Sequence, residues 1–582
     1  MCGIAGIIKK DKHNVSKTEI NKMVKAIKHR GPDGENIFIN KQVGLGHVLL
    51  KIQDMSDLSI QPYQYKNLVL CYNGEVYNYK KLKSNLVSKG YTFDTEGDTE
   101  VLIKLIYEYG LEKTLSLIEG CFAFSLYNKK TNITCVARDR FGIKPLYYYN
   151  DDSRFIFCSE IKGIIKCDDI PRKFNLETVI TSLNCRLWMD PENTLFEGIK
   201  NLQPGCYLKV KNNKIEKKQY YKLTFKDNYK DKEKLIEDFS KEFEASVEKK
   251  LLSKVPVAAF LSGGLDSSII CKLLNDFSQK KLNTYTICYD FDNDLDLNHA
   301  KELAFKEGFN LHNVLITEDM YNINNIDKVT YAVEEILIDK VYIAMYFNYK
   351  SAKDDGYTVV VSGQGSDEVW LGYIFTWKIF RFINEKYDKN TLINEYYIPN
   401  MIFNNKLRTN QQRKVKKILT EYLNKYFVEN SEDQLNSYAD LSLKTILHDL
   451  LVQEDKLAMM HGIESRVPFI DNHKIVEIAY NSGSKIKTYD GREKYIVRKY
   501  SEGKIPDSII KREKYPFPEP PKIYNNVITR ICKENWKDII KSKIIKKIIK
   551  KELLNDIENF TEIEQWWLLV YWRFEKVFKM EV

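Results

Sequence analysis

The second residue of the chain is a cysteine whose position suits it to act as a nucleophile. If the initiator methionine is removed, which a small second residue permits, Cys2 carries a thiol and an α-amine together. An α-amine titrates at about pH 8 and a thiol at about pH 8.5, so the unprotonated amine can accept the thiol proton directly or through water. Taken alone, a cysteine at this position is more often a chance feature of a short first strand.

Two glycine-rich segments have the composition of phosphate-binding turns. One is LSGGLDSS from Leu261 to Ser268, the other is SGQGSDE from Ser362 to Glu368, and each follows an apolar stretch. Glycines let backbone N–H groups approach phosphate oxygens, and a following helix adds positive charge at its N-terminus. Asp266 and Asp367 stand at the carboxyl ends of predicted strands, where open α/β sheets bind ligands. Taken singly, each is more often a helix cap than a metal ligand.

The elements that must position these residues change in character along the chain. Up to about residue 210, short apolar alternations broken by turn residues predict a layered sandwich of many strands. Helical spacing occurs at 17–29 and 99–109, with Asp98 or Thr99 as the expected cap of the second helix. The predicted strands cover 3–8, 44–50, 68–72, 122–126, 133–137, 146–149 and 155–159.

A polar, lysine-rich stretch with little periodicity predicts an interdomain linker at 210–234. Beyond it, helical patterns at 235–252, 267–277 and 298–307 alternate with apolar strands at 255–261, 282–288, 313–316 and 358–362. This alternation predicts a parallel sheet wrapped by helices. Residues 374–582 have an almost entirely helical pattern, and the lysines of 537–551 indicate a solvated helix face.

Composition and charge narrow the function classes. The 582 residues include 90 Lys and Arg against 80 Asp and Glu, and because the surplus is spread along the chain we expect no nucleic acid partner. No apolar stretch approaches the roughly 20 residues that cross a bilayer. The 11 cysteines include no C-x-x-C pair, and the opening MCGIAGIIKK has its charges after its apolar run, unlike a signal peptide. We expect a cytoplasmic protein with reduced thiols and small-molecule substrates.

Six ordered segments closely resemble the glutaminase domain of the asparagine synthetase family: MCGIAGI, HRGPDG, YNGEVYN, GDTE, GCFAFSLY and RDRFGIKPLYY. The resemblance implies an α+β N-terminal-nucleophile (Ntn) hydrolase sandwich of antiparallel sheets between helices. It implies Cys2 as nucleophile on the glutamine amide, with the Asn73 side chain and the Gly74 N–H as oxyanion hole. The implied glutamine-binding residues are Leu49, Lys51, Ile52, Gln53, Glu75 and Asp98, with Glu75 and Asp98 at the α-amino end.

The glycine-rich turn at Leu261 resembles the pyrophosphate loop of the ATP-pyrophosphatase group, which lacks the Gly-Lys-Ser/Thr end of a P-loop. This implies an α/β ATP-pyrophosphatase-type domain with a largely helical C-terminal part, which forms an acyl-adenylate from ATP with Mg²⁺. HGIESRVPFID at 461–471 also matches, as does Lys494, which would stabilise the developing charge. The implied ATP-binding residues are Leu261, Ser262, Gly263, Gly264, Asp266, Ser267, Ile287, Ser362 and Gly363, and the implied metal ligands are Asp266 and Asp367.

One departure from the family's pattern lies in the glutamine pocket. The family has HxRLSI, in which the Arg holds the substrate α-carboxylate, whereas this chain has HVLLKI with Leu49 at that position. Lys51, two residues along on the same face of that strand, would substitute only as a point charge. We therefore expect weak glutamine affinity or a different amide donor.

The second departure lies in the synthetase half. Asparagine synthetases have SGEGSDE, whereas this chain has Gln364 at the catalytic Glu position. A neutral amide cannot act as a base. Either a nearby carboxylate takes that role or the acceptor is not aspartate, and the candidate carboxylates are Glu334, Glu335 and Glu368.

The motifs together predict a glutamine-dependent amidotransferase. Residues 1–209 would release ammonia from glutamine, an internal channel would carry it, and residues 235–582 would adenylate aspartate or a related carboxylic acid before ammonia displaces AMP. A first alternative, favoured by Leu49, is an ATP-dependent ligase or cyclase that uses another amine and has a weakened glutaminase. A second, favoured only if Gln364 disables adenylation, is a non-catalytic scaffold. Dimers are common in the family, so a homodimer is expected.

Overall fold

The computed structural model describes residues 2–11, 13–183, 191–225, 229, 231–278, 280–290, 294–337, 339–373, 401–403, 405–427, 433–513 and 523–581. Cys185 and the predicted helical stretch at 374–400 lie outside these residues. The ten described cysteines are buried and unpaired. None of the helices within these ranges is long and apolar enough to cross a membrane.

The N-terminal half is a sandwich of two six-stranded antiparallel sheets, as predicted. Its strands are β1 (Cys2–Lys9), β2 (Gly34–Asn40), β3 (Val43–Leu49), β4 (Tyr63–Tyr65), β5 (Leu68–Val76), β6 (Gly120–Asn128), β7 (Ile133–Arg138), β8 (Tyr147–Asn150), β9 (Arg154–Cys158), β10 (Ile199–Asn201), β11 (Cys206–Lys211) and β12 (Lys214–Gln219). One sheet has the order β10-β8-β9-β1-β3-β2 and the other β12-β11-β7-β6-β5-β4. Apolar side chains such as Ile4, Leu45 and Val69 fill the space between the sheets.

Helices cover the outer faces of this sandwich. They are α1 (Lys17–Ala26), α2 (Tyr79–Val87), α3 (Asp98–Tyr109), α4 (Leu111–Leu117), α5 (Ile161–Ile164) and α6 (Leu176–Ser182). The first helix lies directly on the first sheet because Gly46 has no side chain: a Cβ there would lie 2.4 Å from Val24. Ser16 and Glu19 form a capping box that fixes where this helix begins.

The C-terminal half contains a five-stranded parallel sheet. Its strands are β13 (Val257–Phe260), β14 (Asn283–Cys288), β15 (Asn310–Leu315), β16 (Val359–Val361) and β17 (Glu464–Arg466), in the order β15-β14-β13-β16-β17. β13 lies in the middle, and the chain continues to β14 on one side and later to β16 on the other. The carboxyl ends of β13 and β16 therefore flank a topological switch point, where such sheets bind ligands.

Helices surround this sheet and make up most of the remaining described chain. Before β17 they are α7 (Lys232–Lys249), α8 (Leu265–Phe277), α9 (Leu295–Glu307), α10 (Ile323–Val333), α11 (Val341–Asp354), α12 (Ser366–Trp370), α13 (Thr409–Tyr426), α14 (Gln434–Lys444) and α15 (Ile446–Met460). After it come α16 (His473–Tyr480), α17 (Ser484–Lys487), α18 (Tyr495–Ser501), α19 (Asp507–Lys511), α20 (Ile523–Ile539), α21 (Lys543–Ile548) and α22 (Glu562–Phe578).

The last helix ties the two halves together. α22 is buried along most of its length, and Phe574 packs against Phe174 and Phe196 of the N-terminal half at ring distances of 5.7 and 5.5 Å. Tyr571 also hydrogen-bonds Ser182. One continuous apolar core therefore runs from the first sheet into the C-terminal helices.

Three local predictions are wrong in detail. α3 is capped by Gly97 rather than by Asp98 or Thr99, because the Asp98 carboxylate is engaged elsewhere. β12 occupies 214–219, which the sequence places in the linker; it is a polar edge strand, so its burial pattern is weak. β17, in the region expected to be almost entirely helical, is only three residues long and forms because β16 has a free edge beside it.

Candidate active sites

Cys2 lies in β1, opposite Leu49 of β3. Its backbone nitrogen donates to Asn73 Oδ1 at 2.9 Å, and its carbonyl oxygen accepts from Arg30 Nε at 3.1 Å. The residue is 7% exposed, and burial raises the pKa of its thiol. A raised pKa keeps the thiol protonated at neutral pH, so catalysis needs an adjacent base. The nitrogen held by Asn73 is such a base once it is a free amine.

Asn73 and Gly74 have the features of an oxyanion hole. Asn73 is fully buried in β5, and its Nδ2 has no hydrogen-bond partner in the described structure. An unpaired buried donor lowers the stability of the fold by about 1–3 kcal/mol, so we expect a ligand to accept a hydrogen bond from it. At Gly74 a Cβ would lie 2.2 Å from the carbonyl oxygen of Cys121 in β6, so only glycine fits. The unpaired amide beside the thiol can stabilise a developing oxyanion.

Asp98 is held at the start of α3 by two donors. Its Oδ2 accepts from the Tyr72 hydroxyl at 2.7 Å and from the Val76 N–H at 2.8 Å. Burial nevertheless raises the pKa of Asp98 to about 6. An ammonium group bound beside it would stabilise the charged form, as expected at the α-amino end of a glutamine pocket.

Glu75 lies where the two halves of the chain meet. It accepts a hydrogen bond from the Gln53 side chain and lies 3.8 Å from Arg466 Nη2. Burial and the nearby Glu464 raise the pKa of Glu75 well above its usual range. The Glu464 carboxyl is also buried, but its contact with Arg466 at 2.5 Å lowers its pKa to about 2. Arg466 therefore braces β17 and also faces Glu75, one of the predicted glutamine-binding residues.

The remaining pocket residues show what the missing arginine changes. Leu49 ends β3 as a buried side chain, so Lys51 lies beyond the strand, and the prediction that the two share a strand face is wrong. Lys51 Nζ donates to Asp57 Oδ1 at 2.9 Å and to the Met55 carbonyl at 3.1 Å. Because the Lys51 ammonium is already bound by Asp57 and Met55, it is poorly placed to bind the α-carboxylate of glutamine. Ile52 is buried just beyond it.

The two glycine-rich segments meet at the switch point of the parallel sheet. β13 and β16 are neighbours and lead into Leu261 and Ser362, respectively. Gly263 has φ +69°, and a Cβ there would lie 2.2 Å from the Asp296 carbonyl oxygen. At Gly363 a Cβ would lie 3.2 Å from Asp266 Cβ. These glycines let both turns lie close to the N-terminus of α8. A helix N-terminus is a favourable place for a phosphate group to bind.

Side-chain hydrogen bonds close the first turn. The Ser262 N–H donates to Ser267 Oγ at 3.1 Å, and the Gly264 N–H donates to Ser262 Oγ at 3.4 Å. The Leu261 N–H bonds the Tyr285 carbonyl of β14, the strand in which Ile287 is buried. All nine sequence-predicted ATP-binding residues thus lie in the two turns, at the start of α8 or on the adjoining strand β14.

Asp266 and Asp367 converge on one cation. Lys494 Nζ lies 2.5 Å from Asp266 Oδ2 and 2.6 Å from Asp367 Oδ1. Although burial opposes it, the two carboxylates raise the pKa of Lys494 above its ordinary value. Two carboxylates that already share one cation form a donor set that fits Mg²⁺. Lys494 itself is in place to neutralise charge at a phosphate.

The acids expected to compensate for Gln364 have different surroundings. Glu334 accepts from the Ile161 N–H at 3.0 Å and pairs with Lys456 at 3.0 Å, so it is committed to the junction between the halves. Glu368, in α12, accepts from the Tyr373 hydroxyl, and burial together with Asp367 raises its pKa to about 7. Glu368 is therefore the better-placed base of these two.

Sequence reasoning missed the roles of Arg30 and Glu454, which connect the two sites. Arg30 donates to the Cys2 carbonyl and, through Nη2, to Asp455 Oδ2 at 2.8 Å. The preceding residue, Glu454, accepts from Ser362 Oγ at 2.5 Å in the second glycine-rich segment. Two adjacent residues of α15 thus face the thiol site and the nucleotide crevice. Arg30 lies within the HRGPDG motif, but its partner is 425 residues away.

Comparisons with known proteins agree with this two-site geometry. The family described as Glutamine amidotransferase domain matches residues 1–221, and the family described as Asparagine synthase matches residues 238–575. The chain belongs to the asparagine synthase family. Three relatives illustrate how similar proteins compare with this chain.

This asparagine synthase family member is 30% identical to asparagine synthetase (glutamine-hydrolyzing) 1 of Bacillus subtilis (strain 168), over 98% of this chain and 96% of that protein. It is 27% identical to asparagine synthetase B (glutamine-hydrolyzing) of Escherichia coli (strain K12), over 89% and 82% of the two chains. It is also 25% identical to amidase chry2 of Gibberella zeae, over 90% of each chain. Relatives with different names are therefore similar to this chain over most of its length.

Proposed function

We propose that this protein is a glutamine-dependent amidotransferase that couples glutamine hydrolysis to ATP-driven amidation of a carboxylic acid. Membership of the asparagine synthase family supports the reaction type and ATP as a substrate. The observation that carries the proposal is the Asn73 amide, whose oxygen holds the Cys2 nitrogen while its buried Nδ2 is left unpaired. That arrangement suits attack on a carbonyl whose oxygen becomes negatively charged.

In the first half-reaction the Cys2 thiol attacks the glutamine amide, and the α-amine of the processed N-terminus takes up the thiol proton. Ammonia leaves with that proton, so Cys2 is left as a thioester with the glutamyl group, and water then hydrolyses the thioester to release glutamate. Asn73 Nδ2 and the Gly74 N–H stabilise the oxyanion, while Glu75 and Asp98 hold the substrate ammonium. The departing ammonia would pass between the halves, along the boundary where Arg30 contacts Asp455. Arg30 and Asp455 are both buried at that boundary, which supports a route that is shielded from solvent.

In the second half-reaction the two glycine-rich turns bind ATP and the carboxylic acid attacks its α-phosphate, releasing pyrophosphate. Asp266 and Asp367 would hold Mg²⁺, which supplies charge neutralisation at the leaving pyrophosphate. Lys494 stabilises the charge on the phosphate, and Glu368 supplies the carboxylate that Gln364 lacks. Ammonia then displaces AMP from the acyl-adenylate.

The division of labour is tested by Cys2→Ala. We expect this variant to lose glutamine-dependent amidation while keeping amidation with ammonium chloride, because the nucleotide crevice is unchanged. Cys135→Ala, another buried cysteine, is the matched control and should keep both activities. Loss of both activities in Cys2→Ala alone would refute the division. Asp266→Ala should show the converse pattern, with no ATP–pyrophosphate exchange and intact glutaminase.

A second candidate is an ATP-dependent ligase or cyclase of the same superfamily that uses an amine already present on its substrate. Leu49 favours it, since the buried leucine offers no charge to a glutamine carboxylate. Glutamate release in the presence of ATP and glutamine distinguishes the two. For either candidate we propose a cytoplasmic homodimer.

A further inference from the structure

One arginine of the C-terminal half has an unused donor beside the predicted glutamine pocket. Arg466, in β17, is 1% exposed, and the other donors of its guanidinium are engaged. Its Nε donates to Glu464 Oε1 at 2.5 Å, and its Nη1 donates to the carbonyl oxygens of Lys250 and Leu252 at 2.6 and 3.0 Å. Of the buried lysine and arginine nitrogens in the described ranges, Arg466 Nη2 alone has no hydrogen-bond partner. Such a donor lowers the stability of the fold, so we expect a ligand to accept a hydrogen bond from it.

The unused donor is directed at the pocket. Arg466 Nη2 lies 3.8 Å from Glu75 Oε1, which is too long for a hydrogen bond, and Glu75 is predicted to hold the substrate ammonium. Glu464, which is bonded to the same guanidinium, lies close to two further pocket residues. Burial and, more weakly, the charge of Glu464 raise the pKa of the Cys2 thiol and of Asp98. β17 therefore borders the pocket at its nucleophile and at its α-amino end.

The position of Nη2 suits the α-carboxylate of glutamine. The ammonium and the carboxylate of an α-amino acid are attached to one carbon atom, so a cation beside Glu75 is within reach of the α-carboxylate when Glu75 holds the ammonium. Glu75 also accepts from the side chain of Gln53, whose own Oε1 has no partner in the described structure and can accept from the ammonium. Gln53 belongs to the loop between β3 and β4, in which Met55 and Leu58 are exposed. The Glu75 end of the pocket thus lies against a loop that is open to solvent.

The lysines near the pocket already have partners. Lys144 Nζ lies 3.5 Å from Asp455 Oδ1, and Lys250 Nζ lies 2.7 Å from Asp471 Oδ2. The Lys51 ammonium is held by its own loop. Arg466 is therefore better placed than these lysines to bind a carboxylate.

We propose that Arg466 binds the α-carboxylate of glutamine through Nη2 and so takes the place of the arginine that is absent at position 49. The C-terminal half of the chain then completes the glutamine pocket of the N-terminal half. Because Nε and Nη1 are engaged, one nitrogen makes the contact, and it is weaker than the two parallel hydrogen bonds of a bidentate arginine. This inference rests on the proposed amidotransferase function and names a residue that makes its first site specific for an α-amino acid.

The test is glutaminase activity, measured as kcat/KM for the hydrolysis of three amides. Glutamine has both α-groups, 4-aminobutanamide lacks the α-carboxylate, and 4-carbamoylbutanoate lacks the α-amine. The unaltered protein should prefer glutamine to 4-aminobutanamide by about tenfold or more. Arg466→Gln should lower kcat/KM by about 10- to 100-fold for glutamine and for 4-carbamoylbutanoate, and by much less for 4-aminobutanamide.

The three amides separate this role from a structural one. If Arg466 only braced β17 or kept Glu75 charged, its loss would reduce hydrolysis of 4-aminobutanamide as much as that of glutamine. An equal loss for all three amides therefore overturns the inference and leaves the proposed function intact, as does the absence of any preference for glutamine in the unaltered protein. Failure of the unaltered protein to hydrolyse any of the three counts against the proposed function itself.

Two further variants complete the experiment. Arg466→Lys keeps a charge beside Glu464 but has no second terminal nitrogen, so it should show the same selective loss even if the glutamine variant does not fold. Arg140→Gln is the matched control, because Arg140 is a buried arginine that donates to the carbonyl oxygens of Leu115 and Ile118 at 3.1 and 2.8 Å. It should keep the preference for glutamine. The same selective loss in the Arg140 variant would overturn the inference.

Discussion

Replacing Leu49 by arginine should restore tight glutamine binding. Leu49 lies opposite Cys2 in β1 and opposite Gly34 in β2, where the absent side chain leaves room for a longer residue. A charge-assisted hydrogen bond to a carboxylate contributes about 1.5–3 kcal/mol. Each 1.4 kcal/mol is about a factor of ten, so KM for glutamine in Leu49→Arg should fall by about 10- to 100-fold. The turnover number should change little, because the bond-making atoms are not touched.

The assay is glutamate release at increasing glutamine, compared across Leu49→Arg, Leu49→Lys and Leu49→Gln. The lysine variant should recover only part of the gain, since an ammonium cannot make two parallel hydrogen bonds, and the glutamine variant should recover none. Hydrolysis of 4-aminobutanamide, which lacks the α-carboxylate, should be the same in all three. Equal KM values for Leu49→Arg and Leu49→Gln would refute the reasoning. Lys51→Ala should leave KM unchanged, because Lys51 is engaged by Asp57.

Three further predictions follow from the site. Because the pKa of Asp98 is about 6 and its charged form binds the substrate ammonium, KM for glutamine should rise as the pH falls, about tenfold at one pH unit below 6. Gly372→Ala should reduce ATP–pyrophosphate exchange and spare glutaminase, because its Cβ would lie 2.1 Å from both Asp367 Oδ1 and Lys494 Cε. Arg30→Met should lower the free energy of unfolding in urea by about 1.5–3 kcal/mol, because it removes charged hydrogen bonds to the buried Glu160 and Asp455.

Each of these has a control. Asp98→Asn should have a high KM that no longer varies between pH 5 and 7; a pH profile like that of the wild type would contradict the assignment. Gly483→Ala probes a glycine with φ −62° whose Cβ would lie an ordinary 3.8 Å from Asp433 Oδ2, and this variant should keep exchange activity. Lys22→Met breaks an exposed pair with Asp168, so its effect on unfolding should be small. If Arg30→Met lowered the free energy of unfolding no more than Lys22→Met does, the ion pairs of Arg30 at the boundary would not be important for stability.

The fold was largely predictable because its signals are local. Apolar alternation identifies the sandwich strands, and the strand–turn–helix pattern around Ser262 identifies the parallel sheet. The sequence pattern did not predict β17 and β12. A three-residue strand and a polar edge strand form because a neighbouring strand pairs with them, and their own residues carry little strand signal. Likewise, Asp98 has the residue type of a helix cap, but a tyrosine hydroxyl and a distant N–H compete successfully for its carboxylate.

The sequence predicts the residues that would take part in the reactions, but it does not predict the residues that hold them in place. Motifs name Cys2 and Lys494, yet no pattern could pair Arg30 with Asp455, since burial of both depends on the docking of two halves of the chain. The same limit applies to Lys51, whose orientation is decided by where β3 ends. Such contacts depend on tertiary packing rather than on local spacing.

The positions that depart from the family pattern share a physical character. Leu49 and Gln364 each replace a charged side chain by a neutral one, whereas the thiol, the oxyanion donors and the Lys494 cluster remain. Loss of a recognition charge changes which substrate binds, while loss of a bond-making group would stop the reaction for every substrate. The unpaired, buried Asn73 Nδ2 lowers the stability of the fold. A protein that had lost its activity would gain nothing from such a destabilising group. The pattern of loss therefore argues for altered substrate specificity at both sites of a working enzyme.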